Sequence, residues 1–465
     1  MSRMSRKGKK PATDRPLAVV VLAAGVGKRM RSATAKVLHP LAGRPLLAHV
    51  LGQTARLDPV RSVVVVGHQA EAVAAVVGER AVCVTQREQL GTGHAVAAAR
   101  RALRGFSGDV MVVSGDVPLL RAATLKKLLR RHRSSKALAT VLTMVVDDPS
   151  GYGRILRQEE GCFRIVEHAD AGREEREIDE VNSGIYCFDA RFLLRTLSAL
   201  DQDNAQAEYY LTDLIEKASA KGTAAALVAE DESELMGVDS RLGLARAEAL
   251  MQERLILGWM ERGVTFLDPA SVYLSVDVRM GRDCVIGPGV RLEGATRLGR
   301  ECVVDGSAFL KDTVVGDSSH VRWGVVADGA RIGKTVQVGP YSHLRPEAEL
   351  GAESHIGNFV EVKKSKIGRG SKANHLSYIG DATVGRDVNI GAGTITCNYD
   401  GFAKHRTEVG DRVQIGSDTQ LVAPVKVGAD CYVAAGSTVT SDVAPGSLVF
   451  NDKRQQVRSG WVEGF

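Results

Sequence analysis

In the C-terminal half the apolar positions fall on a six-residue beat: Ile332, Val338, Leu344, Leu350, Ile356 and Val362, then Val409, Ile415, Leu421, Val427, Val433 and Val439. A helix repeats every 3.6 residues and a strand every 2, so neither fits this spacing. A hexapeptide beat suits a chain that turns one corner of a triangular coil per repeat and stacks its Ile, Val and Leu rungs inward, about 18 residues closing each coil. Most rungs precede glycine or another small or polar residue, as in Ile332-Gly333, Val338-Gly339, Leu350-Gly351, Ile356-Gly357, Ile415-Gly416 and Val427-Gly428. Tight corners favour a residue without a Cβ. The pattern predicts a parallel β-helix over roughly residues 265–445. A sandwich or barrel with coincidental spacing would show period-two alternation and irregular turn intervals instead.

The beat slips by one residue at Ile367 and again at Val384, and the stretch 397–406 (Cys-Asn-Tyr-Asp-Gly-Phe-Ala-Lys-His-Arg) breaks it. Insertions in a solenoid become loops on one face, where binding function concentrates. Upstream, over 17–238, the pattern changes to short Val-rich runs at 17–22, 62–66, 81–85, 110–114 and 139–145, separated by helix-length segments. Continuous apolar strands alternating with helices predict an α/β, Rossmann-like domain with a mostly parallel sheet. Such sheets bind ligands at the carboxyl ends of their strands. Between the two patterns, 240–262 reads as one helix, with a polar start at Asp239-Ser240, apolar positions Leu242, Ala245, Ala249, Ile256, Trp259 and Met260, and Gly263 as its stop. The expected organisation is a basic disordered tail (1–15), an α/β domain (16–239), a linker helix (240–263) and a β-helix domain with a C-terminal tail (264–465).

Charge narrows the partners. Arg3, Arg6, Lys7, Lys9, Lys10 and Arg15 face only Asp14 at the start of the chain and account for most of the net +6. The remainder is nearly neutral, which leaves no nucleic-acid footprint. The apolar run 17–24 after the basic tail resembles a signal peptide. It is too short to span a membrane, however, and runs into Gly25-Val26-Gly27-Lys28-Arg29, as a buried strand entering a phosphate-holding loop would. No membrane partner is expected. Seven cysteines without a C-x-x-C pair suit a reducing cytoplasm rather than a disulfide or zinc framework.

The loop after the first strand is neither a P-loop nor a full G-x-G-x-x-G. Two glycines still let backbone N–H groups approach phosphate oxygens, and Arg29 and Lys36 supply fixed positive charge; the alternative is a tight turn with solvated cations. The strand 110–113 ends in Ser114-Gly115-Asp116, putting a carboxylate where a hard ligand can hold Mg²⁺ against phosphates, unless Asp116 merely caps the turn before Pro118. Gln86 and Gly91-Thr92 follow another strand, where an amide and bare backbone suit a base edge, and Glu167 and Asn182 suit sugar hydroxyls.

Together with the segments 22–25, 36–39, 89–95, 151–155, 165–168 and 208–213, these residues resemble the sugar-1-phosphate nucleotidyltransferases. More particularly, they resemble the bifunctional family of N-acetylglucosamine-1-phosphate uridyltransferases and glucosamine-1-phosphate acetyltransferases of bacterial cell-wall precursor synthesis, over about residues 17–450. That resemblance implies a left-handed β-helix. It implies that Leu22, Ala23, Ala24, Gly25, Gln86, Gly91, Thr92, Ser114, Gly115, Gly151, Glu167 and Asn182 line uridine nucleotide and sugar, with Arg29 and Lys36 toward the phosphates. Mg²⁺ would be held by Asp116 and Asp239, where the family usually carries Asn; the acid keeps the oxygen ligand and adds a charge, or Asp239 N-caps the helix. Ser114 departs from a frequent Tyr. The sugar phosphate would attack the α-phosphorus of UTP in line as pyrophosphate leaves.

Around the solenoid's interruption, Arg345, Lys363 and Lys404 can grip a sugar phosphate, and a histidine, His375, is of the class that titrates near neutrality and can take an amine's proton. A single solenoid histidine is otherwise a solvated surface residue. The runs 372–381 and 389–401 resemble the family's acetyltransferase signature. By that resemblance His375 is the general base and Asn398 orients it or its substrate. Arg345, Lys363, Tyr378 and Asn389 bind glucosamine-1-phosphate, and Ala392, Asn398, Tyr399, Ser417 and Ala435 line acetyl-CoA, with Ser417 near the thioester oxygen. Lys453 or Arg454 stands where the family offers the coenzyme an arginine, and the family's β-helix is a homotrimer. Two rival readings follow from the residues. One is a single-activity nucleotidyltransferase whose solenoid regulates or oligomerises; the other is a metal-dependent hydratase using His320, His343 and His355 as ligands.

Overall fold

The computed structural model of the protein describes residues 15–158, 163–452 and 454–462, and the chain divides into two compact units, Met1–Met251 and Gln252–Phe465. The basic tail up to position 14, and Lys453, lie outside the described residues. Arg15 sits 3.0 Å from Asp109 and donates to Asp189 at 2.7 Å.

In the first unit the main sheet runs Ala224–Val228, Ala139–Val145, Glu180–Asp189, Asp109–Ser114, Leu17–Ala23, Arg61–Val66, Val82–Thr85. Residues 17–23 alternate between two cores, Ala18 and Val20 on one face, Leu17, Val19 and Val21 on the other. That two-sided burial is why the strand reads as one continuous apolar run. From Leu17–Ala23 the chain builds two parallel strands outward, then returns to lay Asp109–Ser114 along the opposite edge. The strand order therefore switches direction beside Leu22, which pairs with Ser114, and a crevice opens at such a point. The sheet is less parallel than the sequence predicts. Glu180–Asp189 runs antiparallel to both neighbours, with a register shift between Asn182 and Ile185, and the hairpin Arg154–Arg157/Phe163–Val166 joins it antiparallel.

Among the described residues the second unit is a three-faced β-helix of 11, 10 and 9 short parallel strands. Its rungs, among them Ile332, Val338, Leu344, Leu350, Ile356 and Val362, are buried in one continuous core. Coils close in 18 residues where Val338 pairs with Ile356, but in 17 where Val304 pairs with Val321 and Leu350 with Ile367. Most of the glycines after the rungs serve a different purpose from the one expected, Gly339 (φ 98) being the exception among those named. A Cβ at Gly333 would lie 2.7 Å from the backbone nitrogen of Ala352 in the next coil, so these glycines give room for stacking. Left-handed corners fall on polar residues such as Thr335 (φ 56) and Glu353 (φ 63), on Phe359 (φ 57) and Leu376 (φ 44), and on other glycines such as Gly324 (φ 69).

A helix spans Arg241–Met260. Asp239 does not cap it; Ser240 Oγ accepts from the Gly243 amide at 3.1 Å. Leu242, Ala245 and Ala249, expected on the buried face, are exposed, and Ala247 and Met251 are buried. Polar links hold this half: Arg241 donates to Met30 O and Glu248 accepts from the Ala42 amide. Past Met251, Ile256 and Trp259 join the solenoid core, and the Gln252 amide exchanges two hydrogen bonds with the backbone of Leu274.

Candidate active sites

At the switch point lies a cleft of about 260 Å³ lined by Leu22, Ala23, Ala24, Gly25, Lys36, Gln86, Gly91, Thr92, Ser114 and Asp116. Val37, Gln89, Ala95 and Glu208 complete the lining. Gln89, Ala95 and Glu208 fall inside the motif segments, yet nothing in their residue types marked them as cleft residues. Gly91 is required twice over: its φ is 101, and a Cβ would come within 2.7 Å of Tyr209 O. Gln86 is buried, with its amide nitrogen 3.1 Å from His94 Nδ1.

A second cleft of about 360 Å³ shares Lys36 and Asp116 with the first and adds Arg29, Gly151, Tyr152 and Asp239. Lys36 donates to Asp116, and Arg29 to Asp239 at 2.7 Å. Gly27 (φ 69) packs against Lys36, since a Cβ there would lie 2.6 Å from the lysine Cβ. Gln69 accepts from the Ala35 amide at 2.8 Å and fixes the segment just before the lysine. The Val238 amide donates to Asp116 O at 2.8 Å, which brings Asp239 beside Asp116. Burial, then the charges of Asp239 and Asp116, push the Tyr152 phenol up. Two hard oxygen donors facing one cleft fit a divalent cation that takes its other ligands from phosphates and water.

Gly115 donates to Leu22 O at 2.8 Å behind the first cleft. Glu167 and Asn182 line neither cleft. Both ends of the Asn182 amide are engaged, Nδ2 by Tyr186 Oη at 2.7 Å and Oδ1 by the Gly184 amide at 3.0 Å. Glu167 accepts from Thr212 Oγ1 at 3.2 Å, and burial pushes its carboxyl up.

In the β-helix, His375 ends the strand Lys372–His375 on one face and is exposed. Asn389 lies one rung on in the same sheet, and Tyr378 opens the next face past the corner at Leu376. On that face Arg345 donates to Glu361 at 2.9 Å, and Asn398 donates to Tyr378 Oη at 3.4 Å and to Asp381. Asn398 thus contacts Tyr378 and Asp381 rather than His375. Lys363 lies close enough to Lys404 to push its ammonium down. Ala392, Ser417 and Ala435 sit at one corner in successive coils, tied by Asp418 N to Ala392 O at 2.7 Å and Gly436 N to Ser417 O at 2.8 Å. The interruption is a hairpin in which Tyr399 bridges Lys404, Asp400 caps the amides of Phe402 and Ala403, and His405 lies 2.7 Å from Asp400. Tyr399 is exposed, as is Arg454.

The three-histidine site does not form. His320 and His355 lie in one sheet two rungs apart, and His343 lies in another. Among the described residues no group of three or more His, Cys, Asp or Glu can hold a metal ion.

The model of the MobA-like NTP transferase domain matches residues 19–206. That of the bacterial transferase hexapeptide (six repeats) matches 329–364 and 406–441, on either side of the interruption. The chain is 49% identical to proteins named "Bifunctional protein GlmU" from Pelobacter propionicus, Trichlorobacter lovleyi and Exiguobacterium sibiricum. The matches cover 96%, 96% and 94% of this chain and 98%, 97% and 98% of theirs.

Proposed function

The chain belongs to the family of bifunctional GlmU proteins, and from that membership we propose how its residues divide two reactions between two sites. The protein is a glucosamine-1-phosphate N-acetyltransferase and a UDP-N-acetylglucosamine pyrophosphorylase. It acetylates glucosamine-1-phosphate with acetyl-CoA, then transfers UMP from UTP to N-acetylglucosamine-1-phosphate, releasing pyrophosphate.

We assign uridylyl transfer to the paired clefts of the first unit. The observation that carries the assignment is the convergence of Lys36, Arg29, Asp116 and Asp239 at the carboxyl ends of two parallel strands. A triphosphate entering there takes Lys36 and Arg29 as countercharges, leaving both carboxylates to Mg²⁺. Mg²⁺ held by Asp116 and Asp239 supplies charge neutralisation at the phosphoryl oxygens. The bare backbone of Leu22 to Gly25 and of Gly91 admits the nucleotide, Gln86 faces the base, and Ser114 borders the same cleft. Lys36 and Arg29 then hold the α-phosphate for in-line attack by the sugar phosphate and stabilise the charge that passes to pyrophosphate.

Acetyl transfer is assigned to the corner around His375. Arg345, Lys363 and Lys404 grip the sugar phosphate, while Tyr378 and Asn389 orient the ring. As the amine attacks the thioester carbonyl, His375 takes the proton from the nitrogen and passes it to the departing thiolate, so that the C–S bond breaks and the coenzyme leaves as its thiol. Ala392, Ser417 and Ala435, with Asn398 and Tyr399, form the surface for acetyl-CoA, and Ser417 is the donor for the developing oxyanion. Assembly as a homotrimer is in keeping with the hexapeptide pattern, and the exposed column Tyr341, Phe359 and Leu376 beside His375 is the apolar surface such an assembly would cover. A cytoplasmic setting accords with cysteines that carry no disulfide among the described residues.

Reciprocal variants test the division. His375→Ala is expected to lower acetyl transfer by about 10²- to 10⁴-fold and leave uridylyl transfer intact; Asp116→Ala does the reverse. Joint loss of both activities in either folded variant refutes separate sites.

A further inference from the structure

Arg154 is the bulkiest of the fully buried side chains, 1% exposed, and it is a cation. No carboxylate bonds to it directly among the described residues; Asp148 acts on it through its charge alone. Its guanidinium donates to the carbonyl oxygens of Tyr152 and, at 3.1 Å, Arg176, and Nε finds no acceptor. A buried cation whose only direct acceptors are two carbonyls is costly, so those two bonds mark what it holds in place.

What it holds is specific. Tyr152 follows Gly151 in the turn that walls the second cleft. Arg176 belongs to the helical turn Glu175–Glu177, in the connection that leaves Glu167. In the sheet Arg154 pairs with Val166 on one side and Val181 on the other, each one residue before Glu167 and Asn182. Gly153 joins the same group: its carbonyl accepts from the Asn182 amide at 2.8 Å, and a Cβ on it would lie 3.2 Å from the Glu167 carboxylate. The planar fork thus ties the Gly151–Tyr152 turn to the turn at Arg176, while the backbone of Gly153 and Arg154 joins the strands that lead to Glu167 and Asn182.

We propose that Arg154 is a positioning residue of the uridylyl-transfer site, setting the Gly151–Tyr152 wall of the second cleft against the segments that carry Glu167 and Asn182, and so acting on the acetamido-sugar phosphate rather than on the nucleotide. This rests on the assignment of that site made above. Lysine cannot replace it, because a point charge on a flexible stem does not fork between two carbonyls.

Steady-state uridylyl transfer by full-length Arg154→Lys and Arg154→Gln, varying each substrate in turn, tests this. Both variants are expected to raise KM for N-acetylglucosamine-1-phosphate about tenfold or more while KM for UTP stays within about twofold, the scale of one lost charge-assisted hydrogen bond. Acetyl transfer by the same chains, unchanged, shows that the β-helix unit is intact. Wild-type KM for the sugar phosphate in Arg154→Lys overturns the two-carbonyl role, and KM values for both substrates rising in step overturn the sugar-side role. Absence of UDP-N-acetylglucosamine formation by the wild-type protein would instead fail the underlying site assignment.

Discussion

Lys36 and Asp116 form an ion pair inside the cleft at the switch point, although 80 residues separate them in the chain. Each lies on the border of both adjoining clefts. The lysine is the one cation that faces the nucleotide pocket and the acidic pocket alike, among the described residues lining them. Lys36→Met is therefore expected to lower uridylyl-transfer kcat/KM by about 10²-fold or more, the usual loss when one preorganised charge is removed from a phosphoryl-transfer site. A variant within a few-fold of wild type would remove Lys36 from the account.

Asp239 brings a second carboxylate to the cleft, and Arg29 balances it at 2.7 Å. Asp239→Asn keeps an oxygen donor and removes one attractive charge, so Mg²⁺ binding is expected to weaken by about tenfold. Calorimetric titration of the protein with Mg²⁺ and UTP reads the affinity directly, and the Mg²⁺ dependence of uridylyl transfer should shift by the same factor. Equal affinity in the two proteins would mean that Asp239 serves Arg29 alone.

Two lysines, Lys363 and Lys404, crowd one another on the β-helix, and the proximity pushes the Lys404 ammonium down. A dianionic phosphate relieves that repulsion. Lys404→Ala is expected to raise KM for glucosamine-1-phosphate about tenfold, and the salt sensitivity of that KM should fall. Unaltered KM with unaltered salt response would leave the pair without a phosphate to hold.

Burial pushes the Asp213 carboxyl up to about 6, against the opposing pull of Lys217 and with further help from Asp201, Glu216 and Asp170. The folded chain then holds this proton more tightly than the unfolded chain, whose carboxyl has the ordinary 3.8. Stability contributed by the protonated form is complete below the lower value and is lost as pH rises through about 6. Asp213→Asn should therefore stabilise the fold at neutral pH by on the order of 1 kcal/mol, raising the temperature of half-inactivation of uridylyl transfer by about 2–4 °C, with the gain vanishing toward pH 4. A gain that persists at acid pH would point to helix or packing effects instead.

The solenoid was legible because each rung commits one inward side chain at a fixed spacing, so Ile332 and Val338 announce it without any knowledge of their neighbours. The purpose of Gly333 was not, since its constraint comes from Ala352 in the next coil. In the α/β unit, runs such as 17–22 and 110–113 stand out because both faces are buried. The antiparallel strand Glu180–Asp189 escaped notice because Glu180, Asn182, Ser183 and Gly184 break its apolar character at the bulge. Lys36 and Asp116 could be read from the segments that follow the strands. Gln89 and Glu208 could not, because they reach the cleft through tertiary packing around Gly91 and Tyr209.

The central claim is that one chain performs both acetyl and uridylyl transfer. Purified wild-type protein given acetyl-CoA, UTP, Mg²⁺ and glucosamine-1-phosphate should release free thiol and pyrophosphate in equal amounts, with UDP-N-acetylglucosamine accumulating to match. Pyrophosphate from added N-acetylglucosamine-1-phosphate, with no thiol from acetyl-CoA and glucosamine-1-phosphate, would contradict it and leave a single-activity nucleotidyltransferase with a structural β-helix.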